Sequence, residues 1–303
     1  MNGPAGLNRF DLTSLRLFVA VVGEGSLTLG AERFGISLAA ASKRMLELEA
    51  RIGTPLLARS KTGVAATDAG QTLLRHAITL VADVEQLAVA MDDFRRGAKG
   101  HLRLWANTSA FAGFLPGLLA DYTAVHPDVM IDLEDALSED AARAVARGAA
   151  ELAVIGANTP CDGLQTFVCD KDELVVVTPK GRGFGGKSAV PLQAILDRDI
   201  VGLGRATSLM RQISAAADAI GCELRLRIQV RSFDAMCRMV AAGIGVAILP
   251  RAGAAPHLAA MGLQAHRISG MNTQRHLLLA MRDQQTLSRP AQAFVRMAQE
   301  RMQ

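Results

Sequence analysis

Apolar residues in the first hundred positions recur every three to four residues, whereas those after position 100 come in short unbroken runs. The two halves therefore predict different architectures. Residues 12–23, LTSLRLFVAVVG, place Leu15, Phe18, Val19 and Val22 at helical spacing. Ser26 has the position of an N-cap for a short helix to about Arg33. Gly30 inside that helix costs about 1 kcal/mol relative to alanine, which implies that something packs close to it. The stretch FGI (34–36) is a tight turn, and Ser37 caps a third helix that runs to about Ile52 and ends at Gly53.

In this third helix Ala41, Met45, Leu48 and Ile52 share a core-facing stripe, and Ala39, Ala40, Lys43 and Arg44 turn mostly outward. Two helices joined by a three-residue turn with glycine form a helix-turn-helix signature. Residues 55–67, PLLARSKTGVAAT, have short apolar runs around a basic turn, as a two-stranded wing would. A long helix follows from Asp68, with Asp68 and Gln71 as a capping box. Ala77, Leu80, Val84, Leu87, Met91 and Phe94 then recur at strict 3-4-3-4-3 spacing. That is a coiled-coil seam, read here as a dimer seam, with a core helix of one domain as the alternative. RRGAKG (95–100) is a short polar hinge.

After residue 100 strands and helices alternate. Strands are expected at 102–106, 129–135, 151–156, 173–179, 200–204, 224–230, 246–250 and 276–281, and helices at 111–125, 139–148, 207–220, 233–242 and 288–301. Such alternation predicts a parallel α/β architecture. Two such sets, joined near 157–162 and near 265–270, predict two lobes with a cleft between them.

Charge sharpens the picture of the first half. Between Arg33 and Lys61 lie six basic side chains (Arg33, Lys43, Arg44, Arg51, Arg59, Lys61) against Glu47 and Glu49, while the whole chain has a formal net charge of +4. The excess positive charge sits on the helix-turn-helix and wing, where a DNA phosphate contact would fall. The small residues at the head of the third helix let that end enter a major groove. Ser37 and Ser42 offer hydrogen bonds, Leu38, Ala39 and Ala40 can touch thymine methyls, and Lys43 and Arg44 suit guanine edges or phosphates. Ser26, Thr28, Arg33, Arg59 and Lys61 complete the expected DNA-binding set.

The stretch from Leu15 to Gly70 resembles the N-terminal domain of LysR-type transcriptional regulators. The resemblance rests on FVAV and GS before the second helix, GAER within it, and the Ser37–Ser42–Lys43 spacing. It rests also on LE…IG…LL entering the wing and T-x-A-G at the start of the long helix. HPDV, ELAVIG and VAAGIGVAILP fit the same family's effector domain, so the resemblance covers nearly the whole chain. It implies an N-terminal all-α winged helix-turn-helix, a dimerising linker helix, and an α/β effector domain of two lobes like periplasmic binding proteins. It implies a homodimer or homotetramer that bends double-stranded promoter DNA, with a small-molecule effector changing the bend. RNA polymerase is a candidate partner at the promoter. One departure concerns the operator: the family's usual Gln-Pro after the first serine of the third helix is Leu38-Ala39 here. The amide that would read an adenine is missing.

The expected domains are 1–67 (winged helix-turn-helix), 68–97 (linker helix and hinge) and 98–303 (effector domain). Its first lobe is placed at about 98–158 and 269–303, and its second at about 159–268. Effector contacts are expected where strands end and helices begin. They are Thr108 and Ser109 with free N–H groups beside them, Gly204, Arg205 and Thr207 in GLGRATS, Phe233 after Ser232, and Ile248. Polar helix starts favour a small anion, such as a carboxylate.

Other readings carry less. GRGFGG (181–186) follows a strand but opens no helix, so it is a loop rather than a nucleotide cradle. The six histidines show no metal spacing, and Cys161, Cys169, Cys222 and Cys237 form no C-x-x-C pair. No cofactor and no catalytic constellation are expected, so the chain reads as no enzyme. The N-terminus has no apolar signal region and no run is apolar enough to span a membrane, so a cytoplasmic location with reduced thiols is expected. The rival class is an α/β binding protein or enzyme whose N-terminal helices serve only dimerisation.

Overall fold

The computed structural model describes residues 10–60, 63–96, 100–185 and 189–302. It divides into two compact units, Met1–Asp92 and Asp93–Gln303.

The first unit begins with α1 (Leu12–Glu24), α2 (Leu27–Phe34) and α3 (Leu38–Ile52). Each has a side-chain cap: Asp11, Ser26 and Ser37 accept from the N–H groups of Ser14, Leu29 and Ala40. Each ends on a glycine in the left-handed region, Gly25, Gly35 and Gly53. The buried face of α1 lies on Leu15, Leu17, Phe18 and Val21, so it is turned from the expected Val19 and Val22. The reason is Gly30: a Cβ there would stand 2.7 Å from Val21 Cα and Cγ2. The missing side chain lets α2 press directly on α1 at Val21. On α3, Ala41, Met45 and Leu48 are buried and complete the core with Ala31, Leu56 and Leu57.

A wing of β1 (Leu57–Ser60) and β2 (Gly63–Ala66) follows, paired antiparallel. Glu49 Oε1 accepts from Leu56 N at 2.7 Å and Leu57 N at 3.0 Å, so one of the two acids near α3 fixes the entry to the wing. Val64 N donates to Gly25 O at 2.8 Å and ties the wing to the α1–α2 turn. The long helix α4 (Asp68–Arg96) is capped by Thr67 rather than Asp68: Gly70 N donates to Thr67 Oγ1 at 3.0 Å. Thr67 is the better cap because its hydroxyl also donates to Pro55 O at 2.8 Å and joins helix to wing.

The second unit contains β3 (His101–Ala106), α5 (Thr108–Ala112), α6 (Leu115–Val125), β4 (Met130–Asp135), α7 (Ser138–Ala146), β5 (Leu152–Gly156) and β6 (Gln165–Pro179). Then come β7 (Ala189–Pro191), α8 (Leu192–Leu196), β8 (Ile200–Leu203), α9 (Ser208–Ala219), β9 (Leu226–Val230) and α10 (Phe233–Ala241). It closes with β10 (Ala247–Pro250), α11 (Arg251–Leu258), β11 (Leu263–Ser269), β12 (Gln274–Met281) and α12 (Arg289–Glu300). The single helix expected over 111–125 is two, α5 and α6, because the chain breaks at Gly113 (φ −110°, ψ −119°).

The sheet is mixed rather than parallel. β4, β3 and β5 are parallel, but β12 runs antiparallel to β5 and β6, and β6 runs antiparallel to β10 and β11. The cause is β6, fifteen residues long. Its first part pairs with β12, as far as Glu173 opposite Gln274, and its second part, from Leu174, pairs with β10 and β11. The cores follow the same division. One holds Leu102–Cys169 and Leu277–Ala298 residues, the other Leu174–Ile268 residues. The first crossing between lobes therefore lies inside β6 near Glu173, not in the loop at 157–162. The second lies between β11 and β12. A continuous strand could not announce a boundary in sequence, since its apolar run does not pause there.

Candidate functional site

On the first unit the head of α3 is open. Ser37, Leu38, Ala39, Ala40 and Lys43 are exposed, Ser42 is half-buried, and Leu38 keeps 48% of its surface. Ser37 Oγ accepts from Ala40 N at 3.2 Å, so this serine caps the helix while facing outward. Lys43 reaches outward: its side chain is 80% exposed and only a loose ion pair, 4.0 Å to Glu47, holds it. Thr28 is exposed and Ser26 caps α2.

Two of the expected contacts are already engaged. Arg44 Nη1 donates to Asp11 Oδ1 at 3.2 Å and Ser14 Oγ at 3.3 Å. Arg51 reaches the same aspartate at 3.5 Å. Desolvation would raise the Asp11 carboxyl, but the hydrogen bonds from Ser14, and after them the two guanidiniums, hold it below its usual range. Arg44 thus fastens α3 to the start of α1. Arg33 Nη1 lies 2.6 Å from Glu24 Oε1. The side chain of Arg59 and all of Lys61 fall outside the described residues.

Along α4, Leu80, Val84, Leu87 and Met91 are exposed, at 51, 41, 58 and 54%. This unpartnered apolar row follows the expected seam. Ala77 departs from it, being fully buried within the chain. Phe94 lies in α4, with its side chain outside those described.

In the second unit a small cavity of about 20 Å³ opens between the lobes. It is lined by Asn107, Thr108 and Ser109, by Ala136, Leu137 and Ser138, and by Leu203, Thr207, Ser208 and Leu209. Of the expected effector contacts, Thr108, Ser109 and Thr207 therefore meet at one place, although about a hundred residues separate them. Gly204 supports that place through its carbonyl, which accepts from Thr207 Oγ1 at 2.9 Å. Arg205 is exposed and outside the lining. Phe233 and Ile248 are corrections: at 3% and 1% exposure both belong to the core of the second lobe. Phe233 packs where a Cβ on Gly253 would meet its ring at 2.6 Å, and Ile248 pairs with Val176 in the middle of the sheet.

The chemistry at Thr108 also differs from the expectation. Its hydroxyl hydrogen-bonds Asp135, whose carboxyl is raised above its usual range chiefly by burial. α5 has only five residues, so its aligned dipoles are few. The anion-favouring side of the cavity is the start of α9, a twelve-residue helix capped by Thr207, whose Oγ1 accepts from Met210 N at 3.3 Å.

The pattern gave no sign of three groups that complete the cavity, Asn107, Ser138 and Ser208, or of the arginine that supports one of them. Asn107 caps α5 and also donates through Nδ2 to Ser138 Oγ at 3.0 Å. Ser138 Oγ accepts a second bond from Gly156 N at 3.2 Å. Ser208 sits against Gly156, where a Cβ would stand 2.6 Å from its Oγ. Arg275, on β12, donates through Nη2 to Ser208 Oγ at 3.1 Å. It is 4% exposed, and burial pushes its pKa down to about 10. A polar residue following a glutamine at a strand start looks solvent-facing in sequence; only the approach of the lobes buries it. Other contacts tie the lobes together. Arg211 Nη1 meets Glu139 Oε1 at 3.0 Å, and Asn158 Nδ2 donates to Ser208 O at 2.9 Å.

Among the described residues no group of three or more His, Cys, Asp or Glu side chains could hold a metal ion. No described helix is long and apolar enough to cross a membrane. The four cysteines are free thiols, and burial raises that of Cys169.

A three-helix unit with an antiparallel wing, followed by a two-lobed mixed α/β unit with a cavity between its lobes, defines a DNA-binding regulator controlled by a small molecule. The profile for the bacterial regulatory helix-turn-helix protein, lysR family, matches residues 12–71, and that for the LysR substrate binding domain matches residues 95–303. The chain belongs to the LysR family of transcriptional regulators, which are not enzymes. It is 26% identical over 276 residues to a probable RuBisCO transcriptional regulator of Cyanidioschyzon merolae, covering 88% of this chain and 90% of that one. It is 28% identical over 287 residues to the HTH-type transcriptional regulator YfeR of Shigella flexneri, covering 94% and 92%. Three solved structures share the fold. A full-length OxyR variant from Pseudomonas aeruginosa has a TM-score of 0.63 at 20% identity, with 96% and 94% covered. Full-length CbnR complexed with target DNA has a TM-score of 0.59 at 19% identity, with 96% and 99% covered. The regulatory domain of Synechocystis CcmR in complex with 2-PG has a TM-score of 0.61 at 20% identity, with 66% of this chain and 96% of that one covered.

Proposed function

We propose that the regulator reads promoter DNA with the exposed head of α3 and is switched by an effector held between the lobes of its second unit. The observation that carries this reading is the pairing of an open, small-residue helix head bearing an exposed Lys43 with a polar cavity supplied by both lobes. In this reading residues 1–67 bind DNA, 68–97 link and dimerise, and 98–303 bind the effector.

The DNA contacts are Thr28, Ser37, Leu38, Ala39, Ala40, Ser42 and Lys43, with Arg59 and Lys61 from the wing. Leu38 and Ala39 present methyl groups at the head of the helix, which suits thymine-bearing steps in the operator. Arg44 serves by holding α3 in position. The exposed row Leu80, Val84, Leu87 and Met91 supports self-association through α4. A dimer then presents two α3 helices to successive major grooves, about 34 Å apart. The known complex of CbnR with its target DNA supports the first half of the reading, and that of CcmR with 2-PG the second. The effector contacts are Ser109, Ser138, Thr207 and Ser208. Closing or opening of the lobes shifts the population between two assembly shapes. RNA polymerase is the partner that such a shape change would address, and the cytoplasm is the compartment in which both meet.

Affinity selection of sheared genomic DNA on the full-length protein, followed by sequencing, tests the reading. Enrichment of a few intergenic sites with inverted half-sites supports it. Uniform recovery, both with and without a cell metabolite extract, overturns it.

A further inference from the structure

The short segment from Pro55 to Leu57 is gripped from two sides. From α3, Glu49 Oε1 accepts from Leu56 N at 2.7 Å and from Leu57 N at 3.0 Å. From the start of α4, Thr67 N donates to Leu56 O at 2.9 Å, and Thr67 Oγ1 donates to Pro55 O at 2.8 Å. The same hydroxyl oxygen accepts from Gly70 N at 3.0 Å and so caps α4. Leu56 is therefore held through its N–H by α3 and through its carbonyl by α4. Gly70 makes the second grip close: a Cβ there would stand 2.1 Å from Leu56 O. A side chain at that position would keep α4 further away.

This joint is stiff for three reasons. A carboxylate accepting two N–H groups makes stronger bonds than a neutral acceptor. The Thr67 hydroxyl donates and accepts at once, so turning it breaks two bonds. The Leu56 side chain, 1% exposed, belongs to the same core as Leu48 of α3, and Ala69, Leu73 and Leu74 of α4 pack against that core. A close-packed core of this kind does not deform continuously. The angle between α3 and α4 is thereby fixed. In a single chain that angle has no bearing on DNA, but where two α4 helices pair it dictates how far apart the two α3 heads stand.

We propose that Glu49 and Thr67 are positioning residues for operator spacing. Gripping Leu56 from either side, they lock the DNA-reading helix to the dimerising helix, so that the pairing of α4 sets the half-site spacing the protein accepts. This rests on the reading above in which α4 self-associates and α3 enters the major groove. Both residues act through the backbone of Leu56 rather than through DNA. A change of assembly shape then reaches the α3 heads as a change in their separation, instead of being absorbed between α3 and α4.

The test is the distance between two nitroxide labels, one on each α3 of the full-length dimer, measured by pulsed dipolar spectroscopy. Ala50→Cys, at an exposed position of α3, carries the label. The background has Cys161→Ser and Cys222→Ser, which remove the two partly exposed thiols. With the joint intact the distances form a narrow distribution. Glu49→Ala and Thr67→Ala each broaden it while helix content is retained. Glu49→Gln and Thr67→Ser, which keep the accepting oxygen and the hydroxyl, restore the narrow form. On a DNA site with inverted half-sites, the intact protein binds about tenfold more tightly than on the same site lengthened by two base pairs at its centre. Glu49→Ala loses that preference and keeps its affinity for a single half-site. A broad distribution with the joint intact overturns the proposal, as does one that stays narrow in either alanine variant. The absence of dipolar coupling between copies overturns the α4 dimer reading, and this proposal with it.

Discussion

The head of α3 and the cavity between the lobes are built on opposite plans. The first is a surface of one short segment, Ser37 to Lys43, left open by a helix whose other face is buried in the core. The second is an interior assembled from the ends of β3, β4 and β8 and the starts of α5, α7 and α9, with residues as far apart as Asn107 and Leu209. On the first, side chains point outward, and the fold only has to hold the backbone still. In the second, every polar group must find a partner or leave one conspicuously missing, because water is largely excluded. A surface reader can therefore change residue by residue, as at Leu38-Ala39, without loss of fold. The interior site cannot: Ser138, Asn107 and Gly156 share their hydrogen bonds, and Ser208 is pressed against Gly156.

The sharpest way to break this contrast is to disturb the support of the surface site. Gly30→Leu forces a side chain into Val21, where even a Cβ stands 2.7 Å from the backbone. A loss of about 3 kcal/mol or more in the first unit is expected. In urea the transition reporting this unit moves to lower denaturant, DNA binding is lost, and ligand-induced shifts in the second unit persist. If Gly30→Leu melts both units equally, they are not the independent structures that their separate cores suggest.

Gly156→Ala probes the interior site in the same way. The added methyl meets Ser208 Oγ at 2.6 Å and Asn158 Oδ1 at 3.1 Å, and so pushes the lobes apart. About 1–3 kcal/mol of stability is expected to be lost. Effector response should weaken while the affinity for non-specific DNA is unchanged. An unchanged effector response would show that the close approach of β5 and α9 does not shape the site.

Lys43→Ala and Arg44→Ala separate reading from support on α3. The first should lower DNA affinity by about five- to tenfold and reduce the salt slope of binding by about one charge, with no change in melting. The second should lower stability by about 0.5–1 kcal/mol through loss of the Asp11 and Ser14 contacts, both part-exposed. The reverse pattern in gel-shift and melting measurements would exchange their roles.

The smallest effect concerns Tyr122, the only tyrosine in the chain. It is fully buried, its hydroxyl donates to Pro290 O at 2.9 Å, and burial pushes its pKa up to about 12. The folded state holds the proton more tightly than the unfolded state, whose value is about 10. This contribution is full below about pH 10 and is lost as pH rises through about 12. A phenolate absorbance titration should show one group with its midpoint near 12. Tyr122→Phe should lower stability by about 1 kcal/mol at neutral pH and flatten the alkaline limb.

The helix-turn-helix was legible because its signals are local. Ser26 and Ser37 cap within three residues, Gly35 and Gly53 end helices where they stand, and the Ala41–Met45–Leu48 stripe follows from the helical repeat alone. Local readings failed where a second element competed for the same group. Asp68 yielded its cap to Thr67, which the wing also holds, and Arg44, outward by its spacing, was taken by Asp11 of another helix. In the second unit strand runs and helix caps were visible, and so Thr108, Ser109 and Thr207 could be chosen as cavity residues before their meeting was known. Phe233 and Ile248 could not be placed, since a residue at the end of an element faces either the cleft or the core, and only packing decides which.

By itself, the sequence determined the helix-turn-helix with its caps, the exposed head of α3 and the family, because these depend on residues within a turn or two of one another; β7, α8, α11 and β11 it did not announce. Tertiary structure alone decided that β6 runs through both lobes, that Ser138 and Ser208 line one cavity, and that Arg275 is buried against Ser208. Those facts depend on contacts between distant segments, as between Ser208 and Arg275, 67 residues apart. No period along the chain records such a distance; it is set only when the lobes close and water leaves.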